Sequence, residues 1–343
     1  MPAPDIPAAL HQALALAESA IGLTDPNPRV GCVILSADGA VLGAGHTQPA
    51  GQAHAEIMAL RDAASRGHDL RGATAVVTLE PCSHQGRTPP CCDALIAAGI
   101  ARVVAAIEDP NPEVAGRGLA RMRAAGIAVE LADADLADAA REINIGFFSR
   151  MQRARPFVRL KSAISLDGRT ALPDGRSQWI TGAAARTDGH AWRRRAGAVL
   201  TGIGTVLADD PRMDVRLVPT AKQPLRIILD PQGRMPAAAR ILQPPGEVRV
   251  VGPGRADLAA LLTELGTQGI NELHVEAGPT LSGAFIDAGL VDELLVYQAP
   301  MLIGEGRPLA QLAALAGLDE ARRWRRVEAT AVGQDLRLRF RPT

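Results

Sequence analysis

The chain has 343 residues, too many for one ordinary core and enough for two domains of about 100–200 residues each. Lys plus Arg number 37 and so do Asp plus Glu, so a formal net charge of +0 gives no general attraction toward nucleic acid. Aromatic residues make up 3%, too few to stack bases, while 47% hydrophobic and 22% charged residues suit a packed, globular chain.

In chain order, residues 7–21 place Leu10, Leu14, Leu16 and Ile21 near helical spacing, and the prolines of TDPNPRVG end that helix. Val30 to Leu35 predicts a strand, the turn signal Ser36-Ala37-Asp38-Gly39 follows, and a second strand begins at Val41. Helical composition at His54 to Arg66 precedes a buried strand at Ala75 to Leu79. A helix at Cys91 to Ala98, a strand at Val103 to Ile107, a helix at Leu119 to Ala125 and an extended run at Ala128 to Leu131 complete the series. This alternation predicts an α/β domain with a largely parallel sheet over residues 1–145. The basic segment GFFSRMQRARP reads as a linker over 146–155, and a second α/β domain spans 156–343. Its strands are expected at Phe157–Lys161, Ala198–Thr201, Arg226–Leu229, Val248–Val251, Glu272–Glu276 and Glu293–Gln298. Its helices are expected at Ala183–Arg195, Asp257–Leu265 and Thr280–Ala288.

All four cysteines, Cys32, Cys82, Cys91 and Cys92, lie in the first domain. That crowding argues against a disulfide framework and for a cytoplasmic chain with reduced thiols and one metal site. No run of about 20 apolar residues predicts a membrane span, and no basic residue precedes His11 to open a secretory signal.

His54-Ala55-Glu56 stands 28 positions before Cys82, which follows Pro81, and Cys91 lies nine positions further on. One His and two thiolates can hold Zn²⁺ and leave a fourth position for water, which such a metal activates near neutral pH. Glu56, two residues from the His, is placed to shuttle protons, and the order H-x-E then P-C then C is that of zinc deaminases. A structural zinc site is the plainer alternative. Cys92 reads as a packed spare thiol and Cys32 as core. The eight residues between Cys82 and Cys91, SHQGRTPP, replace the usual two.

With that insert the chain resembles the bifunctional riboflavin-biosynthesis deaminase-reductase family (RibD/RibG type), whose deaminase half carries PCSHxGRTPPC. It also shares Pro26-Asn27-Pro28-Arg29-Val30-Gly31 and Gly43-Ala44-Gly45-His46. The resemblance implies a cytidine-deaminase-like N-terminal domain in which His54, Cys82 and Cys91 are metal ligands and Glu56 is the acid/base. It further implies that Asn27 recognises the pyrimidine edge, and that His46, His84 and Arg87 border the substrate, with Arg87 suited to a ribose phosphate.

The second half lacks G-x-G-x-x-G but has two strand–glycine junctions, VLTGIGTV at 199–206 and LHVEAGPTLSG at 273–283. The first is expected to run into a short turn and the second into a helix. Together with KSAISLDGR at 161–169, SQWIT at 177–181 and LADDP at 207–211, they resemble the family's reductase half. That half has a dihydrofolate-reductase-like fold and uses NADPH.

By this resemblance Ala163, Trp179, Thr205, Asp209 and the turn Gly278, Pro279, Thr280, Leu281, Ser282, Gly283 and Ala284 line the cofactor. Ser177, Arg193, Met213, Arg216 and Glu276 line the substrate, while Lys161 and Asp209 handle charge and protons. The implied activity is zinc-dependent deamination of 2,5-diamino-6-(5-phosphoribosylamino)pyrimidin-4(3H)-one, then NADPH-dependent reduction of 5-amino-6-(5-phosphoribosylamino)uracil, in a cytoplasmic homodimer. Rival readings are another nucleoside, nucleobase or tRNA deaminase with an accessory domain, a zinc-stabilised binding protein without catalysis, and a chain with one inactive half. NADPH rather than NADH follows from the resemblance alone.

Overall fold

The computed structural model describes residues 4–85, 89–253 and 257–343. Its contacts divide the chain into two compact units, 1–154 and 155–343. Among the described residues no helix is long and apolar enough to cross a membrane.

The first unit begins with α1 (Ile6–Ser19), where Asp5 accepts the Ala8 N–H at 3.0 Å and Pro7 occupies the first turn. Its Ala9, Leu10, Ala13, Leu14 and Ala17 form one buried stripe. The strands β1 (Gly31–Leu35), β2 (Val41–His46), β3 (Thr74–Val77), β4 (Arg102–Ala105) and β5 (Ala128–Leu131) make one sheet in the order β2-β1-β3-β4-β5. The helices between and after them are α2 (Ala55–Ser65), α3 (Cys91–Ala97), α4 (Arg117–Ala124), α5 (Ala134–Ile143) and α6 (Ile145–Arg153).

Two expectations change here. The sheet is mixed rather than largely parallel: β1 runs antiparallel to both β2 and β3, and only β3–β4 and β4–β5 are parallel. Residues 146–155 are not a linker, because α6 buries Phe147 and Phe148 in the core of the first unit. The antiparallel arrangement has a consequence for chemistry. His46 at the end of β2 pairs with Gly31 at the start of β1, and the Thr78 N–H just past β3 donates to Gly31 O at 3.0 Å. The loop before β1 and the chain leaving β2 and β3 therefore meet at one end of the sheet.

Helix α2 packs on β2 with almost nothing between them. A Cβ at Gly43 would stand 2.3 Å from Ala59 O, and one at Gly45 would stand 2.5 Å from Met58 Cβ. Opposite these glycines α2 offers the small residues Ala55, Ala59 and Ala63, all buried. The Gly-Ala-Gly segment thus lets the helix sit close enough to set the position of its first turn.

The second unit contains β6 (Phe157–Ile164), β7 (Arg169–Ala171), α7 (Ala183–Arg195), β8 (Ala198–Gly202), α8 (Ile203–Asp209), β9 (Leu225–Leu229), β10 (Val248–Val251) and α9 (Leu258–Thr267). It continues with β11 (Glu272–Glu276), α10 (Pro279–Asp287), β12 (Glu293–Gln298), β13 (Arg307–Pro308), β14 (Trp324–Val332) and β15 (Asp335–Pro342). Its main sheet has the order β10-β9-β8-β11-β6-β12-β15-β14, parallel as far as β12 and closed by the antiparallel β15 and β14. Strands β7 and β13 form a separate pair. The segment at 203–206, expected as a turn, is the start of helix α8.

The β14–β15 hairpin, rich in Arg, is held by charge as well as by apolar contact. Arg159, fully buried on β6, meets Glu272 and Glu293 at 2.7 Å each and lies 4.4 Å from the centre of the Trp192 ring. Glu293 also receives Arg339 at 2.7 Å and Arg341 at 3.0 Å, which ties β12 to β15. Burial opposes the charge on Glu293, but Arg159 and Arg339 outweigh it and hold the carboxyl at about 2.

Two outcomes follow from this packing. Gly43→Ala should lower the stability of the first unit by about 1–3 kcal/mol in urea unfolding, through overpacking against α2. Because folding depresses Glu293 below its ordinary value of 4.5, its stabilisation is complete above pH 4.5 and is lost as pH falls toward 2. Glu293→Gln should remove about 3 kcal/mol of that acid dependence from the second unit's unfolding free energy.

Candidate functional sites

The sheet end described above gathers the proposed metal ligands of the first unit. His54 immediately precedes α2, Glu56 lies in its first turn, Cys82 follows β3, and Cys91 is the first residue of α3. His54 Nδ1 is 3.6 Å from Cys82 Sγ and 3.4 Å from Cys91 Sγ, and the Cys91 N–H donates to Cys82 Sγ at 3.4 Å. Among the described residues this is the one group of three ligating side chains whose donor atoms all lie within 4.8 Å of one another. Tetrahedral zinc bonds of ordinary length separate a nitrogen and a sulfur ligand by about 3.6 Å, so the triangle fits that ion. Its hydrogen bonds with Cys91 and His54 outweigh burial and hold the Cys82 thiol down to about 4, whereas Cys91 is pushed up. Cys92 turns its thiol toward Asp93 at 3.7 Å, and Cys32 is buried in β1; neither joins the triangle.

Two corners of the triangle, His54 and Cys82, line a cavity of about 400 Å³ that also receives Glu56, Asn27 and His84, while Cys91 is buried behind them. Glu56 is buried, and burial followed by the charge of Cys82 raises its carboxyl to about 7. The backbone of Asn27 is pinned to Thr24 by bonds of 2.9 and 3.1 Å, which fixes where its amide stands. His46 is not among the cavity-lining residues; its Nδ1 lies 3.0 Å from Thr47 O, and Thr47 lines the cavity instead. Arg87 lies outside the described residues.

Several lining residues have no counterpart in the motif reading. Glu80, next to Pro81-Cys82, is buried and accepts four backbone N–H groups, from Asp109 at 3.2 Å, Gly116 at 2.9 Å, Gly118 at 2.9 Å and Leu119 at 3.2 Å. It thereby fastens the ligand loop to the segment that brings Asp109 and Asn111 to the cavity. Burial, with the charges of Glu80 and Cys82, raises Asp109 to about 7. From α6 come Phe147, Arg150 and Met151. The turn-forming sequence Asp109-Pro110-Asn111-Pro112 past a strand end was the available signal for Asp109 and Asn111.

In the second unit the candidate residues collect where β8 and β11 end, next to the middle of β6. Glu276 pairs with Lys161 across β11 and β6, and Lys161 Nζ lies 3.6 Å from Glu276 Oε2. Arg193 from α7 donates to both Glu276 oxygens, with Nη2 at 3.0 Å from Oε2, and Nη1 donates to Asp214 O at 3.1 Å. Burial disfavours the Glu276 charge, but Arg193 and Lys161 outweigh it and hold the carboxyl well below its usual range. Met213 is buried in a small apolar cluster, with its sulfur 3.6 Å from Arg193 Nη2. Arg216 donates its N–H to His190 Nδ1 at 3.1 Å and pairs with Asp214 at 2.6 Å while its side chain stays largely exposed.

Asp209, raised by burial against the opposing effect of the Ser177 hydroxyl, accepts that hydroxyl at 3.1 Å. The two strand–glycine junctions come together: a Cβ at Gly278 would be 3.9 Å from Thr205 Oγ1, and one at Gly202 would be 3.2 Å from the Leu281 side chain. A Cβ at Gly204, in the first turn of α8, would meet open space. Ala163 lies on β6. Trp179 is 63% exposed and carries the Arg186 guanidinium 4.7 Å from its ring centre, so it is not a core residue.

Comparison with known proteins places both halves of the chain in known families. A family model for the cytidine and deoxycytidylate deaminase zinc-binding region matches residues 5–107, and one for the RibD C-terminal domain matches residues 156–338. The chain is 47% identical over 360 residues to riboflavin biosynthesis protein RibD of Escherichia coli, covering 95% of this chain and 96% of that protein. It is 40% identical over 349 residues to RibD of Aquifex aeolicus, covering 96% of each. The structure of Acinetobacter baumannii RibD superposes with a TM-score of 0.91 at 44% identity, covering 98% of this chain and 99% of that one. A diaminohydroxyphosphoribosylaminopyrimidine deaminase/5-amino-6-(5-phosphoribosylamino)uracil reductase from Thermotoga maritima gives a TM-score of 0.91 at 31% identity, with coverage of 98% and 99%.

Elemental analysis of the purified chain should find about one zinc per chain. His54→Ala, Cys82→Ser and Cys91→Ser should each reduce that content to background, and Cys92→Ser should leave it unchanged.

Proposed function

The chain belongs to the RibD family of bifunctional riboflavin-biosynthesis deaminase-reductases, and from that premise we propose how its residues divide the work. The first unit deaminates 2,5-diamino-6-(5-phosphoribosylamino)pyrimidin-4(3H)-one. The second reduces the product, 5-amino-6-(5-phosphoribosylamino)uracil, with NADPH. The observation that carries the reading is the donor triangle of His54, Cys82 and Cys91 opening beside Glu56 into one cavity.

When bound by these three residues, zinc supplies a Lewis acid and activates water near neutral pH. Glu56 receives the proton that water gives up and passes it to the ring nitrogen, then carries the second proton, from the hydroxyl now on the carbon, to the departing amine. The carbon–nitrogen bond breaks, a carbonyl replaces it, and ammonia leaves. The Asn27 amide offers a donor and an acceptor to the pyrimidine edge, and His84 borders the same space. Arg87 and His46 complete the proposed substrate set, His46 through its hold on Thr47.

In the second unit NADPH supplies a hydride to C1′ of the ribosylamino group, and the sugar ring oxygen takes a proton as the ribityl chain forms. The cradle of Thr205 and residues 278–284, with Ala163, Trp179 and Asp209, orients the cofactor. Arg193 and Lys161 keep Glu276 anionic, so Glu276 fixes the Lys161 ammonium near the sugar. Lys161 holds the proton nearest the reacting end, while Ser177 and Met213 shape the wall. Arg216, with its exposed fork, meets the substrate phosphate. Asp209, bound to Ser177, serves as a secondary proton holder.

The chain works as a cytoplasmic homodimer, as the resemblance to its family implies. With the diaminopyrimidine as substrate, ammonia release and NADPH oxidation are measured separately. Glu56→Ala should cut ammonia release by about 100-fold or more and leave NADPH oxidation on the deaminated substrate unchanged. Lys161→Ala should do the reverse. Ammonia release that survives Glu56→Ala would remove Glu56 from the mechanism.

A further inference from the structure

Helix α6 brings to the deaminase cavity a residue that neither the motifs nor the comparisons assign. Among the described lining residues Arg150 is the one Lys or Arg side chain, whereas Glu56, Glu80 and Asp109 are carboxyls. A phosphorylated substrate entering this cavity carries a phosphate past those carboxyls and needs a cation at the far end of its sugar. We propose that Arg150 binds the ribose phosphate of the substrate at the deaminase site, an assignment that rests on the deaminase reading above.

The placement of the guanidinium favours this role. Arg150 Nη2 donates to Pro26 O at 2.9 Å, and the guanidinium carbon lies 5.7 Å from the centre of the Phe147 ring. Both anchors belong to cavity-lining residues, and Pro26 directly precedes Asn27, which faces the pyrimidine in the proposed pose. One rigid stretch of chain therefore spaces the phosphate ligand from the group that reads the ring. A guanidinium carries five donors in a planar fork, so it can serve a backbone carbonyl and a phosphate together.

The electrostatics point the same way. Burial pushes the Arg150 guanidinium down, which means its charge has lost part of its water and gains from an incoming anion. Asp25 is the carboxylate whose charge opposes that shift, and Asp25 also lies 3.8 Å from Arg29 Nη2. Arg29 can therefore retain Asp25 when a phosphate engages Arg150. The resemblance to the family placed the phosphate on Arg87; Arg150 adds a second cation from a different element, on a helix rather than in the insert.

The test uses the full zinc-loaded chain, with ammonia release measured on the phosphorylated diaminopyrimidine and on the same compound after enzymatic removal of its phosphate. Arg150→Met should raise KM for the phosphorylated compound about 10- to 100-fold with kcat nearly unchanged. It should leave KM for the dephosphorylated compound within about twofold, since an uncharged sugar end makes no ion pair to lose. Arg150→Lys keeps the charge but not the fork; it should give a smaller KM rise, again confined to the phosphorylated compound, and it carries the test where Arg150→Met fails to fold. A phosphorylated-substrate KM that Arg150→Met leaves unchanged, or KM values that rise equally for both compounds, would overturn the assignment alone. No ammonia release from either compound by the wild-type chain would overturn the deaminase reading and this assignment with it.

Discussion

Helix α2 lies on strand β2 with no side chain between them at Gly43 and Gly45, and that contact sets where His54 and Glu56 stand. Cys82 and Cys91 are brought to the same place by different means. The loop after β3 is fastened by the four N–H bonds that Glu80 accepts, and Cys91 is held to Cys82 through its own backbone N–H. Three separate segments thus deliver donors to within 4.8 Å of one another. A metal site assembled this way is preorganised by packing, so little chain entropy is left to be lost when the ion binds.

The second unit reaches its site by a different route. Parallel strands β8 and β11 end side by side next to the middle of β6, and the chain leaves both through glycines into α8 and α10. Open backbone at that end suits a cofactor with phosphates, whereas the Lys161, Glu276 and Arg193 cluster beside it suits a charged substrate. The buried Arg159 and Glu272 lie on the same strands, two residues before Lys161 on β6 and four before Glu276 on β11, and their partner Glu293 begins the neighbouring β12. Ion pairing there is structural, and at the strand ends it becomes part of the proposed chemistry.

Much of this was legible from residue patterns. The helices at α2, α3 and α7 and the core strands follow from apolar spacing and turn residues, and the three ligands with Glu56 follow from the order of His, Glu and Cys. What escaped did so for physical reasons. Strand direction in the first sheet depends on which strands pair, and the run GCVIL looks the same in either orientation. Helix α6 carries Arg150 and Arg153 among its apolar residues and ends three residues before Pro156, so its composition reads as a linker although Phe147 and Phe148 lie in the core. Hairpin β14–β15 is stabilised by cross-strand charge, which apolar periodicity does not register. Glu80 acts through backbone bonds and burial that no spacing rule encodes. His46 follows the two glycines of a shared segment, and the structure gives those glycines a packing role while placing His46 behind Thr47.

Catalysis in the first unit requires a zinc site with three protein ligands and one open position. X-ray absorption at the zinc edge of the full chain tests it most directly. The expected spectrum has two sulfur ligands at about 2.3 Å, one imidazole nitrogen at about 2.0 Å and one light oxygen ligand that is exchanged when a hydrated-pyrimidine mimic binds. A shell of four protein donors with no exchangeable oxygen, such as one that recruits Cys92, would contradict it and make the zinc structural.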